Sequence, residues 1–190
     1  MPSEPNQSRR EAAHQPIEKD PRICLEQRLA ELDIPFTTHE HQPVFTVAES
    51  EELHRKISGA HTKNLFLKDA KGKLFLVVAS HETEVALKQL HKKVGAARFS
   101  FGKADLLQEV LGVTPGSVTA FAVMNDTDGQ VQVVLDQSLM NSEIINAHPL
   151  KNNATTSIAR NDLLRFLVAH QHDPTILDLT FDASAGATHS

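Results

Sequence analysis

The sequence has a single cysteine, Cys24, and no run of eighteen apolar residues anywhere in its 190 positions. A lone thiol cannot close an internal disulfide, and without a neighbouring Cys it cannot begin a thiolate metal site. Cys24 falls in a helical pattern and reads as a partly buried core thiol rather than a nucleophile. The missing apolar run excludes a membrane-spanning helix, and Met1 to Asp20 holds no apolar stretch of signal-peptide type, so a cytoplasmic protein is expected. There is no Gly-x-Ser-x-Gly elbow, which argues against a serine hydrolase. The pairs His39/His41 and His170/His172 have no obvious third ligand nearby, so no metal site is expected.

What is present is an uneven distribution of charge. The net charge is -5, which argues against indiscriminate binding to nucleic acid. Yet His54 to Lys103 holds eleven Lys and Arg against three acids, while the rest of the chain holds eight against twenty-one. A basic face on an acidic body fits a phosphate-bearing partner; the plainer alternative is lysines spread over solvated faces.

The hydrophobic content of 40% supports one domain with one well-filled core. Residues 1–21 and 181–190 read as flexible tails around a domain at 22–180. Leu25, Leu29 and Leu32 repeat at helical spacing and stop before Pro35, after which Phe36 to His41 reads as an edge strand. Thr46 and Glu49 are spaced as a capping box for a helix running to about Ile57. Leu65 to Lys68 and Leu74 to Ala79 form an expected hairpin at the sheet centre. Leu87, Leu90 and Val94 mark a helix, Ala97 to Phe101 a short strand, and Leu106 to Leu111 a helix closed by Gly112. Val118 to Met124 and Val131 to Leu135 read as a second hairpin, followed by strands at Ile144 to Ala147 and Ala154 to Ile158. A last helix spans about Asn161 to His170, with Leu163, Leu164, Leu167 and Val168 facing inward. Hairpins interleaved with single helices predict an α/β protein of the α+β type, with a mixed, largely antiparallel central sheet flanked by helices.

Three segments could carry chemistry. In Gly59 to Leu67, Lys63 and Asn64 stand at the entry to a buried strand. A lysine held there can present its ammonium to a phosphate or a developing oxyanion, and an asparagine both donates and accepts; an exposed lysine beside a capping asparagine is the alternative. In Leu111 to Val118, Gly112 and Gly116 flank Pro115, so successive amides could receive a carbonyl oxygen or carboxylate. The segment also fits an ordinary type II turn, and it lacks the Gly-Lys-Ser/Thr ending of a phosphate loop. In Ile144 to Leu150, followed by Asn152, Thr155 and Thr156, Pro149 forces His148 to be extended. Such a histidine can orient a hydroxyl or a water, or sit satisfied by backbone.

Taken in this order, Thr62-Lys63-Asn64-Leu65-Phe66-Leu67, Gly112-Val113-Thr114-Pro115-Gly116-Ser117-Val118 and Asn146-Ala147-His148-Pro149-Leu150 resemble the YbaK/prolyl-tRNA editing domain over about Arg22 to Leu179. The likeness is greatest to the free-standing, alanine-specific branch. The resemblance implies a trans-editing deacylase that hydrolyses mischarged tRNA for proline, most naturally its alanyl ester, with no cofactor and no metal. Its implied partners are aminoacylated tRNA and prolyl-tRNA synthetase. Lys63 would meet the terminal phosphate or the reacting ester, Asn64 would position the ligand, and His148 would hold the ribose or the water. Amides of Gly112, Gly116 and Ser117, in a lid turned by Pro115, would face the carbonyl, and Thr156 would help bind the substrate. Ala147 and Ala120 stand where many relatives carry an aromatic residue and a proline, which leaves serine or cysteine as alternative amino acids to be removed. A non-catalytic module binding tRNA or a synthetase is the reading from a different class.

Overall fold

The computed structural model describes residues 20–43 and 47–180. The expected tails lie almost wholly outside them, as does Thr46 of the proposed capping box. Helix α1 (Pro21–Glu31) opens with Asp20 accepting from the Arg22 amide and a proline at its first turn, and it buries Leu25 and Leu29. Strand β1 (Phe36–Glu40) pairs only with β7 (Ala154–Ala159), as an edge strand should. Helix α2 (Val47–Lys56) leads into β2 (Ala60–Asp69), which turns back as β3 (Leu74–Ser80) in the expected hairpin.

Every residue of β3 from Leu74 to Ala79 is buried. Leu74, Leu76 and Val78 face the larger core, while Phe75, Val77 and Ala79 face a second, smaller one. The run is continuous rather than alternating because both faces of the sheet are covered. Helix α3 (Leu87–Lys93) covers the smaller core through Leu90. Helices α4 (Ala104–Leu111) and α5 (Arg160–Ala169) cover the larger core together with α1.

The sheet runs β1-β7-β6-β2-β3-β5-β8, with β4 (Phe99–Phe101) also paired to β2. Here β5 is Val131–Asp136, β6 is Ile144–Ala147 and β8 is Thr175–Leu177. Four pairings are antiparallel; β2 with β6, β3 with β5 and β5 with β8 are parallel. The mixed, mostly antiparallel sheet is the one expected.

The second hairpin is not. Ala120–Asn125 is a 3₁₀ helix capped by the Thr119 hydroxyl, and β5 pairs with β3 and β8 instead. Ala120, Phe121, Ala122 and Val123 are all buried. A short apolar run buried on every side has no periodicity that separates strand from helix. In α5, Leu163 and Leu167 are buried and Leu164 packs against the core as expected, but Val168 is 55% exposed and Phe166 takes its place in the inward stripe. Strand β8 was not expected at all, since its burial pattern has no alternation.

Candidate active site

The sheet opens where the parallel pair β2 and β6 begins, with Ala60 opposite Ile145 and His61 opposite Asn146. Gly59 makes this close approach possible. Its φ is +111°, and a Cβ there would lie 2.8 Å from the Ile144 carbonyl oxygen. Asn146 ties the junction together: its side-chain nitrogen donates to the Ser58 carbonyl at 3.0 Å, its side-chain oxygen accepts from Ser157 at 2.6 Å, and its carbonyl accepts from the Thr62 hydroxyl at 3.0 Å.

A cleft of about 280 Å³ sits over this junction, and Lys63, His148, Ala147, Thr155, His54 and His81 are among its lining residues. Lys63 lies four residues into β2 rather than at its entry. Its Nζ donates to the His81 carbonyl at 3.2 Å, and its other two N–H groups are uncommitted among the described residues. His148 holds the Ala154 carbonyl at 3.2 Å through Nδ1. A carbonyl only accepts, so Nδ1 carries the proton and Nε2 of the neutral ring is a lone-pair acceptor. Burial lowers the His148 pKa, and the bond to the Ala154 carbonyl opposes that shift.

Three further imidazoles gather beside Lys63. The His54 ring lies 4.0 Å from that of His61 and 4.2 Å from that of His81. Nothing in the spacing of positions 54, 61 and 81 announces this cluster, which is assembled by the turn from α2 into β2 and by the end of β3. Among the described residues, no carboxylate lines the cleft. The Thr155 hydroxyl is engaged with His41 Nε2 at 2.9 Å and its side chain is buried, so it forms wall rather than nucleophile.

The other expected site residues fall elsewhere. Asn64 is next on the strand and does not line the cleft with Lys63; its Oδ1 is buried without a protein partner. Thr156 is fully buried and bonded to Thr38 across the β1–β7 pair, so it does not line the cleft; its neighbour Thr155 does. Thr114 to Ser117 form a type II turn, with Pro115 at its second position, Gly116 at φ +92° and the Ser117 amide bonded to the Thr114 carbonyl at 3.0 Å. Gly112 is the left-handed cap of α4, its amide bonded to the Gln108 carbonyl. The amides of Gly112 and Ser117 are therefore spent inside the protein, and of the three only that of Gly116 is uncommitted among the described residues. None of Gly112, Pro115, Gly116 and Ser117 lines the cleft.

A family model for the aminoacyl-tRNA editing domain matches residues 41–166, which span the cleft and every strand around it. The chain belongs to that family. It is an editing deacylase, a hydrolase of aminoacyl-tRNA esters. A prolyl-tRNA synthetase associated domain-containing protein 1 from Danio rerio is 43% identical over 160 residues, covering 83% of this chain and 87% of that relative. The prolyl-tRNA editing protein ProX of Acetoanaerobium sticklandii is 37% identical over 155 residues, covering 81% and 94%. A solved structure described as a candidate trans-editing enzyme for prolyl-tRNA synthetase superimposes with a TM-score of 0.68 at 17% identity, covering 86% of this chain and 99% of that one. At that identity the likeness concerns the fold. Among the described residues, no helix is long and apolar enough to cross a membrane.

Proposed function

We propose that this editing deacylase removes alanine from tRNA for proline, acting in trans in the cytoplasm on the errors of prolyl-tRNA synthetase. The observation that carries the reading is the meeting of Lys63 and His148 in one small cleft, lined by no carboxylate among the described residues. An aminoacyl ester is already labile, so positioning and oxyanion stabilisation are the main requirements. Water adds to the ester carbon, and the oxyanion or the adjoining phosphate is held by the uncommitted N–H groups of Lys63. The His148 Nε2 lone pair orients the attacking water or the neighbouring ribose hydroxyl. The ester C–O bond then breaks, and the ribose oxygen leaves with a proton passed from the attacking water. The Gly116 amide, on the turn made by Pro115 and closed by Ser117, supplies a further contact once charged tRNA is seated; Gly112 ends the helix that leads into that turn, and Asn64 backs the strand that carries Lys63.

The names of the relatives support proline as the acceptor, and a cleft of this size suits a small aminoacyl group. Ala147 in the cleft wall favours a second reading, in which serine or cysteine is the preferred aminoacyl group. Rates of ester loss from alanyl-, seryl-, cysteinyl- and prolyl-tRNA for proline decide between them. The alanyl ester is expected to decay fastest, and Lys63→Ala to slow it roughly 10²- to 10³-fold with an unchanged melting temperature. Undiminished turnover by Lys63→Ala would remove that residue from the mechanism, and faster loss of serine or cysteine would transfer the specificity.

A further inference from the structure

Away from the cleft, a groove of about 320 Å³ lies between α3 and β4, with Leu67, Leu87, Lys88, His91, Arg98 and Phe101 in its walls. We propose that this groove seats the sugar–phosphate backbone of the tRNA acceptor end a few nucleotides before the charged terminus. The inference rests on the function proposed above and adds to it the surface that reads the RNA.

The argument begins with what the groove is made of. From Leu87 to Lys103 there are five Lys and Arg and no acid. Lys88 and Arg98 are exposed, and among the described residues neither has an ion-pair partner. Phe101 is 64% exposed, the largest exposure among the big apolar side chains of the described residues, and it shares the groove wall with these two cations. An aromatic face set among unpaired cations is the arrangement that binds single-stranded nucleic acid, where phosphates meet Lys and Arg while bases stack.

Placement adds a second, independent line. Phe101 pairs with Leu67 on β2, and Leu67 lies on the same face of that strand as Lys63, four residues along. At about 3.3 Å per residue the two positions are roughly 13 Å apart. Stacked nucleotides advance about 3.4 Å each, so an RNA end anchored at Lys63 reaches the groove after about four nucleotides. Strand β2 thus sets the reacting end and the anchoring surface a few nucleotides apart.

The test compares wild type with the double variant Lys88→Gln/Arg98→Gln and with Phe101→Ala. Each is given alanyl-tRNA for proline and the alanyl ester of adenosine, which is too short to reach the groove. Both variants are expected to lose about tenfold in kcat/KM on the tRNA and nothing on the short ester, the scale of two phosphate contacts or of one base stack. Binding of uncharged tRNA, read by fluorescence anisotropy, should show a log–log salt slope shallower by roughly 1.5 for the double variant. That binding assay reads the groove whether or not ester is cleaved, so a wild type without deacylase activity would sink the proposed function and not this surface. Unchanged tRNA binding overturns the groove proposal, as does an equal loss on both substrates. So does weaker binding to prolyl-tRNA synthetase with tRNA affinity intact, which would make the groove a protein interface.

Discussion

His54 is pressed between two other imidazoles with its Nδ1 buried and unpartnered, and its pKa is pushed down to about 4, first by burial and then by His61, His81 and His148. Burial likewise lowers His61 and His148. In the unfolded chain these rings titrate near 6.5. Above that pH both states are neutral and stability is whole; as pH falls toward 4, the unfolded chain binds protons that the folded one refuses, and stability is lost. His54 alone should account for a loss on the order of 2 kcal/mol by pH 4, after allowance for its partly exposed ring. Urea midpoints of wild type and His54→Gln at pH 7 and pH 4.5 measure it, and the variant should lose less. Parallel losses would clear His54 of the effect. The same residue scale shows where the sequence stops being legible. Lys63 and His148 could be picked out from their motifs, but the choice between Thr155 and Thr156 depends on which face of β7 meets the cleft. That parity is fixed by pairing with β1 and β6, from residues more than a hundred positions away and from the neighbouring strand.

Among the elements, those with a period or a stop signal were readable, and those held by tertiary bonds were not. Helix α4 has both its apolar stripe and its closing glycine, and it stands where expected. The segment after the 3₁₀ helix is instead held by Asp126, whose carboxylate accepts from the amides of Gln130 and Val131 and from buried His172 at 3.0 Å. One side chain thus aims β5 into its parallel place beside β3 and fastens the connection from α5 to β8. No local pattern reveals a bond between positions 126 and 172. Asp126→Ala should cost about 3–5 kcal/mol, because it strands a buried imidazole and two amides. A drop in denaturant midpoint of under 1 kcal/mol would show that the loop holds itself. At the other end of the sheet, Gly59→Ala must accept both a strained φ and a contact with the Ile144 carbonyl. An expected cost of about 1–3 kcal/mol should come with a fall in kcat, since β2 carries Lys63 and the junction with β6 shapes the cleft. A variant equal to wild type in both would mean the two strands part there without consequence.

At the scale of the molecule, one sheet carries two cores, whereas the composition suggested one. The larger core holds α1, α4, α5 and the 3₁₀ helix; the smaller is closed by α3 and by the chain near its C-terminal end. Leu179 is 1% exposed, its carbonyl accepts from the Ala86 amide, and Lys93 donates to the carbonyls of Asp178 and Thr180. These residues pin α3 against β3 and β5, and α3 in turn carries Lys88 and His91 to the groove. Leu179→Ala removes the plug from the smaller core and should cost about 2–4 kcal/mol. Because both cores share β3, the loss is expected as a lower urea midpoint with an unchanged slope, in a single transition. Two separated transitions would instead mean that the α3 side melts alone. In that case the basic groove could loosen while the cleft at Lys63 and His148 stayed formed, and the variant would keep its rate on the short ester while losing it on tRNA.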